Sequence, residues 1–246
     1  MDDHIYHLYH QEEDSWWWGV GRRALIRSLW RRYGSPSHKP TILEIGCGTG
    51  AMLTELGHLG AAYGLDVAPL AVRYCRERGI DSVCLGDAQA LPYGDERFDL
   101  VVAIDVLEHL DDDAGALREI LRVCRRGGTF IGTVPAFQFL WSGRDIQLHH
   151  RRRYTLGEIK AKITGAGFRV AKASYLNLPF FPVVFLLLHA GQFSATGYNL
   201  KMDYALIPAA ANRLVGRLVE YEAQLVAHVN LPLGTSAVWV ARRPGR

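Results

Sequence analysis

The rhythm of apolar and polar positions changes three times along the chain. Residues 1–35 read as helical. After Trp16-Trp17-Trp18, apolar positions recur at Ala24, Leu25, Ile26, Leu29 and Trp30, beside Arg22, Arg23, Arg27, Arg31 and Arg32, which predicts a helix capped by Ser15. Gly34-Ser35-Pro36-Ser37 reads as a linker. From Thr41, short and nearly continuous apolar runs alternate with amphipathic stretches. The runs at 41–46, 61–67, 82–85, 98–106 and 129–134 predict buried strands, and 51–59, 69–78 and 111–126 predict the helices between them. The last of these helices is acidic at its start and basic at its end, as the helix dipole favours, and Gly127-Gly128 is expected to terminate it. Such strand–helix repetition means a mostly parallel α/β sheet with helices on both faces.

Beyond Pro135 the rhythm loosens. Residues 136–154 read as a loop rich in aromatic and basic side chains, and 155–166 as a helix with Thr155 as its cap and Glu158 in the capping-box position. A sixth strand is expected at 168–174, a mainly apolar and mainly helical insertion at 175–232, and a final strand at 236–241. Within the insertion, 208–228 predicts an amphipathic helix whose acids and arginines face water. The expected organisation is a helical cap (1–36), a core (37–174), an insertion or lid (175–232), and a last strand with tail (233–246).

The chain has 246 residues, which at about 150 residues per domain fits one domain with additions. Apolar residues at 49% and charged residues at 22% exclude global disorder. A formal net charge of +3 argues against a histone-like binder while leaving room for a local basic patch. Cys47, Cys75, Cys84 and Cys124 have no paired spacing, so neither a zinc knuckle nor a disulfide framework is expected, and a reducing, cytoplasmic setting is. No secretory leader is read at the start. No apolar run reaches the roughly 20 residues of a spanning helix; the stretch 178–188 is broken by Pro179 and Pro182. Contact with a membrane surface stays open.

The chemistry gathers where strands end. Glu44-Ile45-Gly46-Cys47-Gly48-Thr49-Gly50 closes the first strand and opens a helix, and glycines there let the backbone turn tightly and come close to a ligand. By itself such a loop suits a dinucleotide, another nucleotide derivative or close packing. The glycines fall at 46, 48 and 50, whereas the dinucleotide fingerprint sets the third one place later. Asp66 ends the second strand, where a carboxylate can bind two ribose hydroxyls. Asp87 ends the third, where it can accept from an adenine amine. Together these describe an adenosine site without a grip on pyrophosphate.

Gly86-Asp87-Ala88-Gln89-Ala90-Leu91-Pro92-Tyr93, then Phe98-Asp99-Leu100-Val101-Val102 and Asp105-Val106-Leu107-Glu108-His109, resembles the class I S-adenosylmethionine-dependent methyltransferases of the type-11 group, in register over residues 41–135. The resemblance implies a Rossmann-like, mostly parallel seven-stranded sheet with an antiparallel last strand, and S-adenosylmethionine as cofactor. It further implies roles. Gly46, Cys47, Gly48 and Gly50 line the methionine and ribose end, and Glu44 helps hold the methionine ammonium. Asp66 and Val67 meet the ribose, Asp87 and the Ala88 backbone meet adenine, and Asp105 and Val106 border the methyl group and the acceptor cavity. Trp16-Trp17-Trp18 with Gly21-Arg22-Arg23, and the stretch 148–156, are similar to a bacterial subgroup that modifies small molecules, lipids or sugars.

On that reading the expected activity is methyl transfer to oxygen or nitrogen of a small or lipid-linked molecule. His149 and His150 are candidate general bases, since neutral imidazole takes a proton near pH 7, and Asp105 is a third catalytic candidate. Trp16 and Trp17 are candidate aromatic walls for a sulfonium. Arg22, with the Arg151-Arg152-Arg153 run, is a candidate clamp for a carboxylate or phosphate, and Tyr154 a substrate contact. Asp105, Glu108 and His109 fall at i, i+3 and i+4, and with His149 or His150 could surround a divalent ion, as similar groupings do in some metal-dependent methyltransferases. The plainer reading is a helical turn with acids placed to suit the dipole, and no metal is expected. The expected partner is the small or lipid-linked substrate, with membrane-surface contact left open and no nucleic acid, the chain being a monomer or homodimer. The alternatives are an RNA or protein methyltransferase and a non-catalytic scaffold that binds the cofactor.

Overall fold

A computed structural model of the chain describes residues 2–34, 39–189 and 208–245. Two helices come first, α1 (Asp3–Glu12) and α2 (Trp17–Tyr33). The strands and helices of the sheet region follow as β1 (Thr41–Ile45), α3 (Ala51–Gly57), β2 (Ala61–Asp66), α4 (Pro69–Glu77), β3 (Val83–Leu85), β4 (Phe98–Ile104), α5 (Asp113–Val123) and β5 (Cys124–Pro135). Then come α6 (Gly143–Gln147), α7 (Leu156–Gly165), β6 (Arg169–Leu176), α8 (Phe181–His189), α9 (Ala209–Val226) and β7 (Ser236–Arg242). The sheet has seven strands in the order β3-β2-β1-β4-β5-β7-β6. β7 pairs antiparallel with both β5 and β6, and the other pairings are parallel. The expected sheet, including its antiparallel last strand, is therefore observed.

Alternation along the central strands builds two cores. Leu43, Ile45, Val101, Ala103, Phe130 and Trp239 face α5 and α7. Their neighbours in sequence, Ile42, Leu100, Val102, Ile131, Val238 and Val240, face the opposite way, toward α2, α3 and α9. Strands buried on both faces read as continuous apolar runs, which is why they are legible in the sequence. α2 supplies Leu25, Ile26 and Leu29 to the second core, and α9 supplies Ala223 and Val226. Both helices are thus layers of the sandwich.

Several local expectations need correction. Ser15 does not cap α2. Trp16 occupies the cap position in an extended conformation, and the Ser15 hydroxyl turns back toward the Glu12 carbonyl, because residues 13–16 are a tight joint with α1. α5 ends at Val123, before the glycine pair. Cys124 is already extended, and Arg125 and Arg126 reach back to Asp99 and Glu96 at 2.7 and 3.0 Å. On α9 the buried face is Val219, Glu222, Ala223 and Val226, while Leu214, Leu218 and Leu225 are exposed. Glu222 is drawn inward because its carboxylate accepts from the backbone of Asn177 and Leu178 at 2.7 and 2.8 Å, at a left-handed turn leaving β6. The linker at 35–37 and the middle of the insertion, 190–207, lie outside the described residues.

Gly132 of β5 shows how closely the first core is filled. A Cβ there would run into the Trp239 indole and lie 2.9 Å from the Ala103 carbonyl oxygen. Gly132→Ala is expected to cost about 1–3 kcal/mol by overpacking, read as a fall of several degrees in the melting temperature by calorimetry.

Candidate cofactor and acceptor site

The loop after β1 is held to the end of β2 by two hydrogen bonds, Gly46 and Cys47 N–H donating to the Leu65 carbonyl at 2.8 and 3.1 Å. Gly46, Gly48 and Gly50 all adopt left-handed φ, of +70°, +52° and +97°. At Gly46 a second reason forbids a side chain, since a Cβ would sit 2.6 Å from Val106 Cγ2. The loop and the end of β4 therefore meet in contact. Above Gly48 the space is open, and a Cβ placed there would meet nothing within 4 Å.

Two carboxylates flank this loop. Glu44 is 3% exposed, its Oε2 has no hydrogen-bond partner, and burial pushes its pKa well above the ordinary range. A buried carboxyl oxygen without a donor is costly unless a cation completes it. That orphan beside an open glycine loop fits the ammonium end of the expected cofactor. Asp66 is also buried; its Oδ2 accepts from Gly48 N–H and its Oδ1 from Ala68 N–H, each at 2.9 Å. Val67, just beyond it, is largely exposed. Asp87 is exposed at the end of β3, where it accepts from Gln89 N–H at 2.8 Å, and Ala88 beside it is buried. Cys47 points away from the loop, its Sγ 3.9 Å from that of Cys75, so only its backbone faces a ligand.

The first thirteen residues supply groups that sequence reasoning missed. Tyr6 of α1 donates to Asp66 Oδ1 at 3.4 Å. Glu13 accepts from the Thr49 hydroxyl, pairs with Arg78 at 3.0 Å and reaches the backbone of Ala51 at the start of α3. No motif marks these residues; their place depends on α1 packing Tyr6 against Ala71 and Tyr74 of α4.

On the acceptor side, Asp105 has a left-handed φ of +53° and is held from three directions. Arg22 approaches to 3.0 Å, the Thr133 hydroxyl donates at 2.8 Å, and its own N–H donates to the Thr133 carbonyl. Arg22 is 6% exposed, also donates to Ser236 Oγ, and lies 4.1 Å from the Trp18 ring centroid. It is the internal counter-ion of Asp105. Trp16 is buried, and Trp17 stacks on Phe180 at 4.9 Å. Trp17, Trp18, Arg22, Asn177 and Glu222 line a cavity of about 20 Å³, room for a single water.

The remaining candidates separate. His149 is exposed, its Nε2 3.1 Å from Asp2. His150 is nearly enclosed, its Nδ1 bonded to Asp145 at 2.8 Å. Burial and the neighbouring His150 push His109 down to about 4, so it is neutral at pH 7. The expectation that Tyr154 contacts substrate is corrected. It is 2% exposed, its hydroxyl donates to Asp113 at 2.8 Å, and it belongs to the first core. The arginine run is likewise spent internally: Arg151 on Asp111, Arg152 on Asp113, and Arg153 on both oxygens of Asp145.

The burial of Glu44 has a measurable sign. A carboxyl whose folded pKa is raised stabilises below the ordinary carboxyl range and loses that contribution as pH rises toward the folded value. Glu44→Gln removes this titration. The melting temperature of the variant minus that of the wild type should therefore grow more positive from pH 5 to pH 8 without ligand, as read by differential scanning fluorimetry.

The family described as "Methyltransferase domain" matches residues 43–132. The protein of Mycolicibacterium smegmatis named "Probable S-adenosylmethionine-dependent methyltransferase" is 34% identical over 134 residues, 52% of each chain. The ubiquinone biosynthesis O-methyltransferase of a Methylobacterium is 36% identical over 96 residues, 37% of this chain and 39% of that one. The chain spans about half or less of the length of the curated relatives it matches. Among solved structures, a chain from the complex of the Haloferax volcanii Trm112 methyltransferase activator with a methyltransferase superposes with a TM-score of 0.64 at 21% identity, covering 99% of this chain and 96% of that one, which is a likeness of fold. Residues 43–132, just over a third of the chain, match the class I S-adenosylmethionine-dependent methyltransferases of the type-11 group, which use S-adenosylmethionine as cofactor.

Proposed function

We propose that the chain transfers a methyl group from S-adenosylmethionine to an oxygen or nitrogen of a small or lipid-linked molecule. The observation that carries this reading is the pair of buried carboxylates, Glu44 and Asp66, on either side of an open glycine loop that touches the end of β4. Glu44 offers its unpartnered oxygen to the methionine ammonium. Asp66 stands at the end of β2, where ribose hydroxyls exchange for the weak Tyr6 contact. Asp87 and the Ala88 backbone take the adenine edge.

The bound cofactor supplies a methyl group already activated on a sulfonium. The work left to the protein is to hold the acceptor in line, keep water out and accept a proton where the acceptor carries one. Asp105 and Val106 border the transfer point, and the Arg22 pairing holds Asp105 in its left-handed conformation. Trp17 and Trp18 line the cavity beside Arg22, and aromatic faces of this kind suit a cationic sulfur, the part expected of Trp16 and Trp17. Of the two histidines offered as bases, His150 has its ring fixed by a carboxylate, whereas His149 stands at the surface. An apolar acceptor is supported by Phe139, Phe185 and Leu186, which are exposed on neighbouring segments, with the Phe139 and Phe185 rings 6.2 Å apart. No helix among the described residues is long and apolar enough to cross a membrane.

S-adenosylhomocysteine at a hundredfold excess over its Kd is expected to stabilise the wild type by about 2.7 kcal/mol, a shift of several degrees. Asp66→Ala should abolish the shift. Release of S-adenosylhomocysteine in a screen of hydroxylated and amino acceptors, absent from the same variant, tests the transfer. Binding without turnover on any acceptor would leave a cofactor-binding scaffold as the better account.

A further inference from the structure

The turn after β4 carries a group that the fold does not satisfy. Glu108 is 0% exposed, and apart from its own backbone N–H its carboxylate has no hydrogen-bond partner. Burying a carboxyl in this way costs free energy unless something unseen completes it. Two imidazoles stand beside it. One ligand atom each from Glu108, His109 and His150 can be chosen so that all lie within 4.8 Å of one another. His150 Nε2 is 4.0 Å from Glu108 Oε1, too far for a hydrogen bond. A tetrahedral ion with bonds of about 2.1 Å holds its ligands about 3.4 Å apart, so modest side-chain rotation closes the set.

The surroundings have the form that metal-binding histidines need. A ligating imidazole has its second nitrogen bonded to a carboxylate or a backbone carbonyl, which sets the tautomer and aims the free nitrogen. His150 Nδ1 is bonded to Asp145 at 2.8 Å, and the His109 ring is hydrogen-bonded to the backbone of His149. Asp145 is itself fixed, 0% exposed, by Arg153 Nε and Nη2 and by Ser142 N–H. The two chain segments are stitched together, Arg151 N–H donating to the Glu108 carbonyl at 2.8 Å and Arg151 Nε to the His109 carbonyl at 2.9 Å. His149, at φ +58°, makes the turn that delivers His150 to Glu108.

We propose that Glu108, His109 and His150 form a binding site for a divalent first-row transition ion, with Asp145 as the positioning residue for His150. Two imidazoles and one carboxylate favour zinc, cobalt, manganese or iron over magnesium, whose preferred donors are all oxygen. Three protein ligands leave at least one position open. His150 then holds a metal rather than a proton. Where methyl transfer is the reaction, which rests on the reading above, the open position is free to take a donor atom of the acceptor.

The test is titration of the untagged, chelator-treated full chain with Co²⁺, followed by visible absorption and calorimetry. One ion per chain is expected, with d–d bands that Zn²⁺ bleaches. Glu108→Gln and His150→Ala should each weaken binding at least a hundredfold. Asp145→Asn should weaken it about 10–100-fold while changing the band pattern. The S-adenosylhomocysteine thermal shift, run on every variant, reports folding and separates the two readings. Cobalt binding without that shift overturns the methyltransferase reading alone, and the shift without cobalt binding overturns the metal site alone. No binding to the wild type at millimolar Co²⁺ overturns the proposal. So does a spectrum that survives in either Glu108→Gln or His150→Ala, which would place the ion elsewhere, for example on the histidines of α1. If both variants fail to fold, the wild-type titration still decides through the histidine nitrogen resonances. Those of His109 and His150 must shift together on adding Zn²⁺, and no shift overturns the site.

Discussion

Arg22 and Asp105 join the first helical layer to the centre of the sheet. The guanidinium lies under Trp18, bonds Ser236 on β7, and reaches the carboxylate at the end of β4. Removing one partner of a pair this enclosed leaves a charge without compensation, typically at a cost of about 3–5 kcal/mol. Three strands and α2 therefore share a single electrostatic fastening. It also fixes a backbone conformation that an aspartate adopts rarely, at the point where the glycine loop comes into contact through Val106. The backbone at the end of β4 is thus held by a residue from the first helical layer.

Most of the sheet can be read from sequence because its strands are buried on both faces and its helices carry ordinary start signals. Thr155 and Glu158 make the capping box that their spacing announces. Legibility fails where long-range contacts override local pattern. The leucines of α9 look like a core face and are exposed, because α9 meets α2 through Val219 and Ala223 and turns Glu222 inward to cap the chain leaving β6. The glycine pair at 127–128 looks like a helix stop, yet two arginines with partners on β4 and the turn before it end α5 earlier.

The site divides in the same way. Glycines 46, 48 and 50 and Asp66 announce themselves through spacing, since a left-handed loop and the carboxylate that accepts from it follow from backbone geometry at strand ends. The arginine run at 151–153 suggests an anion clamp, but each side chain already has an acid. Asp145 gives no signal in the sequence, being an ordinary helix-start acid until the fold sets it against His150 and Arg153. Tyr6 and Glu13 are equally silent, because only α1 lying on α4 brings them to the loop.

That last arrangement has a thermodynamic consequence. Tyr6 and Glu13 rest on Asp66 and the start of α3, which border the loop where the proposed cofactor would lie. On the proposed reading, the amino-terminal segment and the cofactor would compete for one groove. A measured dissociation constant would therefore contain the work of displacing this helix, and a chain lacking residues 1–14 would bind from a different starting state.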